Sequence, residues 1–222
     1  MDVKEFLKKS IEKNNREAKE YLKKERLRRM KNLSNANGLP SLFIGKTLDN
    51  YNRSKNPTAY NAAKDFVESF PNTKGLLFSG GVGLGKTHLS AAIANELNRK
   101  LYSTYFGNVV DVIGTLKSTY NSNSELTESE IIDMMTDKVD LLIIDDLGKE
   151  STTDHNLSLL YRIINRLYEN EKAIIITTNY TSKELKDKLG SRGPAILSRI
   201  TSMCRPIGLS GEDWRVKHER TS

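Results

Sequence analysis

The feature that most constrains this chain is the stretch from Lys74 to Lys100, KGLLFSGGVGLGKTHLSAAIANELNRK. It holds a short apolar run, a glycine-dense bend, and then Leu89, Ile93 and Leu97 at helical spacing, an order that predicts strand, loop and helix. Within the bend, Gly80 and Gly85 with Lys86 and Thr87 match G-x-x-x-x-G-K-[ST] in the strand-to-helix context that motif requires. Gly80, Gly81, Gly83 and Gly85 admit backbone angles closed to other residues, so successive amide N–H groups can converge on phosphate oxygens. The helix that follows adds roughly half a positive charge at its N-terminus. We therefore expect Gly80, Gly81, Val82, Gly83, Leu84, Gly85, Lys86, Thr87 and His88 to surround the phosphates of a ligand. The Lys86 ammonium should reach the β- and γ-phosphates, and the Thr87 hydroxyl should ligate Mg²⁺. A glycine-rich turn with no ligand is the alternative, and both flanks argue against it.

A nucleotide-hydrolysing site also needs a second acid on the metal side, at the end of a buried neighbouring strand. Val139 to Asp146, VDLLIIDD, reads as such a strand, with the near-continuous aliphatics of a parallel sheet and two terminal carboxylates. Asp145 is the expected metal-side acid, directly or through water, and Asp146 the group that polarises an attacking water. A third strand, AIIITTNY from Ala173 to Tyr180, brings Asn179 to a place where its amide could orient that water. Between these strands Leu157, Leu160, Ile164 and Leu167 mark an amphipathic helix. Strands alternating with helices predict an α/β layered domain with a parallel sheet, whose ligands gather at the carboxyl ends of the strands.

The rest of the composition narrows the class. At 222 residues, with 37% hydrophobic and 28% charged residues, the chain has the size and balance of one folded domain with a small appendage. Its longest aliphatic runs fall far short of the ~18 residues of a membrane span. The first residues carry no apolar core of a secretory signal, so the expected address is cytoplasmic. A single cysteine, Cys204, and three histidines without ligand spacing give no reason to expect zinc. Residues 1–31 hold 12 of the basic and 6 of the acidic residues, so nearly all of the net charge of +7 is N-terminal. There Val3, Leu7, Ile11, Ala18 and Leu22 fall on one helical stripe, and a turn-rich loop from Asn32 to Ser41 follows. We expect a basic helical partner-binding extension over 1–34 and the main domain over 35–222. Its two readings are a solvated helical tail and a docking helix for another protein, with phosphate attraction added.

Taken together, GGVGLGKTHL, LLIIDDLGKE, IIITTN, GSRGPAILSRI and the terminal GEDWR resemble the AAA+ ATPases of replication initiation, nearest the DnaC/DnaI-type bacterial or phage helicase loaders, with IstB-like relatives. The resemblance covers roughly Leu39 to Arg215. It implies a P-loop NTPase fold, with a parallel five-stranded sheet sandwiched by helices, and ATP with Mg²⁺ as the ligand. It implies that Asp145 and Asp146 form the Walker B pair and Asn179 the first sensor. It also implies that Arg199 is an arginine finger reaching the nucleotide of a neighbouring subunit, with Arg192 as a fallback, and that Arg215 is the second sensor. The implied partners are a DnaB-type replicative helicase, through the N-terminal segment, and a second copy of the chain on ATP binding. Asp146 stands where many relatives carry Glu, which implies slow hydrolysis, and the few residues after Arg215 imply little or no helical lid.

Single-stranded DNA is a further implied partner. Tyr102, Tyr105, Phe106 and Tyr120 beside Lys117 suit stacking on unpaired bases. The same residues suit a core strand followed by a helix, and that simpler reading is favoured. Three rival functions share the motifs: an IstB-like helper of a transposase, a small-molecule kinase, and a module that holds ATP without turning it over. The water-directed pattern VDLLIIDD followed by IIITTN argues against the kinase.

Overall fold

Five short segments form strands: β1 (Gly75–Ser79), β2 (Thr104–Asn108), β3 (Leu141–Asp145), β4 (Ile174–Thr178) and β5 (Cys204–Gly208). The computed structural model describes residues 17, 21, 39–117, 127–149 and 153–213. The strands are hydrogen-bonded in the order β2-β3-β4-β1-β5, every pair parallel. Every residue of β3 and β4 is buried, which is why their sequences are aliphatic without alternation.

Successive side chains still point to opposite faces. Leu76, Phe78, Leu141, Ile143, Ile175 and Ile207 build one core with α1 (Pro57–Ser69) and α2 (Lys86–Arg99). Leu77, Leu142, Ile144, Ile174 and Ile176 build the other with α3 (Val109–Lys117), α4 (Glu128–Asp133), α5 (Asp154–Glu169), α6 (Ser182–Lys188) and α7 (Gly193–Met203). The result is a helix–sheet–helix sandwich. Each fully buried Leu or Ile contributes ~1.5–3 kcal/mol of transfer free energy, so the two faces supply the main driving force. Leu157, Leu160, Ile164 and Leu167 are all buried on α5, as their spacing predicts.

Local signals set where the helices begin. The Thr153 hydroxyl accepts the Asn156 N–H at 3.3 Å to start α5, and Thr181 with Glu184 forms a capping box on α6. At Gly75 a Cβ would lie 2.1 Å from the Ile174 carbonyl oxygen, so β1 enters the sheet at a point only glycine allows. β5 is one of the two edge strands, and Pro206 sits in it where a missing N–H costs no central ladder bond.

Residues 39–56 lie over α2. Leu39, Phe43 and Leu48 pack against the first core, and the Asn95 amide donates to the Phe43 and Lys46 carbonyls at 2.9 and 2.8 Å. The helical stripe Val3, Leu7, Ile11, Ala18 and Leu22 and the boundary expected near residue 34 lie outside the described residues. Of the aromatic row, Phe106 is buried, Tyr102 packs edge-on against Phe70 at 4.9 Å, and Tyr105 packs against the second core. These three rings do core work, and Tyr120 lies outside the described residues. Among the described residues no helix is long and apolar enough to cross a membrane.

Candidate functional site

Because β1 and β3 flank β4, their carboxyl ends open side by side. The loop after β1 turns through positive φ at Gly80 (145°), Gly83 (73°) and Gly85 (89°). Its root is tucked under the end of β5: a Cβ on Gly80 would lie 2.2 Å from the Leu209 carbonyl oxygen. Gly85 caps α2 in the left-handed conformation, so Lys86 and Thr87 are the first residues of the helix. The Lys86 ammonium is buried and donates to the carbonyls of Gly80 and Gly81 at 2.7 and 2.6 Å. The loop thus curls around its own lysine.

Thr87 Oγ1 lies 3.1 and 3.0 Å from the two oxygens of Asp145 at the end of β3. Thr177 on β4 donates to Asp145 Oδ1 at 2.6 Å from the other side. Burial pushes the Asp145 carboxyl above the usual carboxylate range and the neighbouring Asp146 adds to this, while the hydrogen bonds from Thr177 and Thr87 and the charge of Lys149 pull the other way. Asp146 follows with φ 59°, an uncommon conformation for a residue with a side chain. Its N–H donates to Thr177 Oγ1 at 2.9 Å. Its Oδ2 pairs with the Lys149 ammonium at 2.6 Å, and its Oδ1 accepts from the Asn179 amide at 3.2 Å.

A cavity of about 430 Å³ joins these groups, lined by Val82 through His88 together with Asp146 and Asn179. Its far wall is Leu42, Phe43 and Lys46, and Lys149 stands at its acidic end. Sequence reading missed these four. Lys149 lay within the quoted LGKE. Leu42, Phe43 and Lys46 carry no local signal, since they reach the cavity only because a loop folds across α2. His88 lines the cavity, but its Nε2 lies 3.1 Å from the Thr47 carbonyl oxygen and 2.9 Å from Asn50 Oδ1. The ring therefore also ties residues 47–50 to α2, and burial lowers its pKa, with Lys46 adding to that and the Thr47 hydrogen bond opposing it.

The other expected arginines lie elsewhere. Arg199, on α7, stacks over Tyr161 at 4.8 Å and Tyr168 at 5.7 Å, and its Nε donates to Asn165 at 2.7 Å. Arg192 also faces Tyr161, at 5.8 Å. Neither lines the cavity of its own chain. Arg215 lies outside the described residues, although Asp213, two positions earlier, packs against Gly83 of the glycine loop.

The donor set suits a magnesium ion. The Thr87 hydroxyl, which lines a cavity sized for a nucleotide, and the buried Asp145 carboxylate behind it are hard oxygen ligands already in contact.

Sheet order, glycine loop and acidic strand end define a P-loop nucleotide-binding fold of the AAA+ type. The chain belongs to the family of IstB-like ATP binding proteins, whose profile matches residues 7–222. It is 28% identical over 174 residues to the replicative helicase loader DnaC of Buchnera aphidicola subsp. Baizongia pistaciae, covering 77% of this chain and 70% of that one. The crystal structure of the DnaC helicase loader superposes with a TM-score of 0.68 at 28% identity, over 77% of this chain and all of that one. DnaA from Aquifex aeolicus, bound to AMPPCP, superposes at 0.65 with 26% identity over 79% of this chain. This chain spans about half of that DnaA, 53% of its length.

Proposed function

We propose that this protein is an ATP-hydrolysing loader of the replicative helicase. The observation that carries the chemical half of this reading is the meeting of Thr87 and Asp145, from two separate elements, beside the loop that holds Lys86. Kinship to proteins named replicative helicase loader supports the biological half.

In this reading the amides of residues 80–85 and the Lys86 ammonium hold the triphosphate, with Lys86 exchanging its carbonyl partners for phosphate oxygens. Thr87 and Asp145 hold Mg²⁺, which would neutralise charge on the phosphates. Asp146 accepts the proton of the attacking water while the Asn179 amide orients it. Asp146 is one methylene shorter than Glu, so turnover is slow and ATP acts chiefly as a switch. Arg199 serves the site of a neighbouring copy, a role favoured by its position away from its own cavity. Arg215 reaches the γ-phosphate of its own site. Residues 1–34 dock on a DnaB-type helicase as a basic helix, and ATP binding favours self-association because it gives Arg199 a phosphate partner.

The test is to mix the protein with the replicative helicase of its host, with and without ATP, and to measure the mass of the complex. A complex that forms with the whole chain and is lost on deleting residues 1–31 supports the reading; no complex under either condition contradicts it. A second reading, implied by the resemblance to IstB-like proteins, is a helper of a transposase. It shares the chemistry and differs in partner, so capture of a transposase in place of the helicase decides for it.

A further inference from the structure

Lys149 is a cation of the cavity that the phosphate-loop motif does not assign. It sits on a turn of unusual build. Asp146 and Gly148 both have positive φ, 59° and 97°, and a Cβ on Gly148 would lie 2.7 Å from the Tyr180 ring. The turn is pinned to β4 at three points. The Leu147 N–H donates to the Thr177 carbonyl at 2.8 Å, Thr178 Oγ1 donates to the Leu147 carbonyl at 2.8 Å, and the Asp146 N–H donates to Thr177 Oγ1 at 2.9 Å. The chain then reverses, with the Lys149 N–H bonded to the Asp146 carbonyl at 3.2 Å, and the lysine arm folds back onto the Asp146 carboxylate. That arm is half exposed, at 51%. A rigid base thus carries a movable charge.

We propose that Lys149 is the residue by which this site distinguishes a nucleoside triphosphate from a diphosphate, its ammonium moving from Asp146 Oδ2 to the terminal phosphate. The inference rests on the nucleotide reading above. An ion pair this exposed is weakly held, whereas a γ-phosphate offers more negative charge and several acceptor oxygens. Lys149 shares the cavity with Lys86 and Asn179, the groups assigned to the outer phosphates. When Lys149 moves, Asp146 Oδ2 becomes open to a water proton, and Oδ1 stays with Asn179. A diphosphate lacks the group that draws Lys149 away, so it leaves the acid covered. One side chain then couples recognition of the third phosphate to release of the water-polarising carboxylate.

The experiment is equilibrium binding of AMPPNP–Mg²⁺ and ADP–Mg²⁺ to the whole chain and to Lys149→Ala, Asp146→Asn and the double variant, with Lys86→Ala as control. Lys149→Ala should weaken AMPPNP about tenfold, as expected for one charge-assisted hydrogen bond, and leave ADP within about twofold. Asp146→Asn frees the lysine and should tighten AMPPNP about threefold, a gain that disappears in the double variant. A merely structural lysine would move both nucleotides together, and that result, or no change in either, overturns the proposal. If the wild-type chain bound neither nucleotide, the nucleotide reading itself would fall and take this inference with it. Binding of both, abolished by Lys86→Ala, keeps that reading whatever Lys149 does.

Discussion

Thr87 Oγ1 touches both carboxylate oxygens of Asp145, at 3.1 and 3.0 Å, although 58 positions separate the two residues. The contact joins the first turn of α2 to the end of β3 across the sheet. A cation seated there would replace the hydroxyl proton as the carboxylate's partner, so the pair is arranged for exchange. Its energetic cost falls on Asp145, a buried acid.

That cost gives a prediction with a definite sign. Burial raises the folded-state pKa of Asp145, so the fold favours its protonated form. The associated stability is present below the unfolded value of about 3.9 and is lost as pH rises through the folded value. Near neutral pH the ionised carboxylate is therefore a burden. Asp145→Asn removes the charge and keeps groups that can bond Thr87 and Thr177. Thermal melts without nucleotide should show the variant more stable than wild type at pH ~7, with the gap closing towards pH ~4. Titration should show its Mg²⁺-dependent nucleotide binding lost.

Lys86→Ala removes the ammonium that the glycine loop curls around, and Gly80 and Gly81 lose their hydrogen-bond partner. Calorimetric titration should show ATP affinity reduced by about 100-fold or more, since an ammonium–phosphate contact is charge-assisted and desolvated here. Far-ultraviolet circular dichroism should remain that of the folded protein.

His88 reports on residues 47–50. Its pKa is lowered, chiefly by burial, so the stability it confers is present above the unfolded value of about 6.5 and is lost as pH falls through the folded one. Hydrogen-exchange protection of amides 43–51, corrected for intrinsic rates, should therefore be weaker at about pH 5.5 than at about pH 7.5. His88→Gln should flatten that difference.

Arg199 is held on its own subunit by Tyr161, Tyr168 and Asn165. If it serves a neighbouring site, Arg199→Ala should leave ATP affinity near wild type and lower phosphate release in the assembled state by about 10³-fold. The same variant mixed with a Lys86→Ala chain should recover some activity, because each then supplies what the other lacks. Loss of ATP binding as complete as in Lys86→Ala would contradict the between-subunit role.

The parts of the site legible in the sequence were those whose signal is local. The glycines announce themselves because a phosphate-cradling bend needs positive φ, and Leu141–Asp145 and Ile174–Thr178 because strands buried on both faces leave no room for polar residues. β5 was not read as a strand: its pattern leaves Arg205, Pro206 and Gly208 exposed, as an edge strand allows. The wall formed by Leu42, Phe43 and Lys46 was hidden because Asn95 and His88, more than 40 positions away, fix that loop in place. The rings of Tyr102, Tyr105 and Phe106 carried an ambiguous signal, since the aromatics that stack on bases also fill cores.

The most direct test is a crystal structure of the protein with AMPPNP and Mg²⁺. The account predicts the triphosphate in the bend of residues 80–85, Lys86 on its outer phosphates, and the metal in contact with Thr87 and with Asp145 or a water held by it. A nucleotide bound away from that bend, or an ordered metal touching neither Thr87 nor the Asp145 shell, would contradict it.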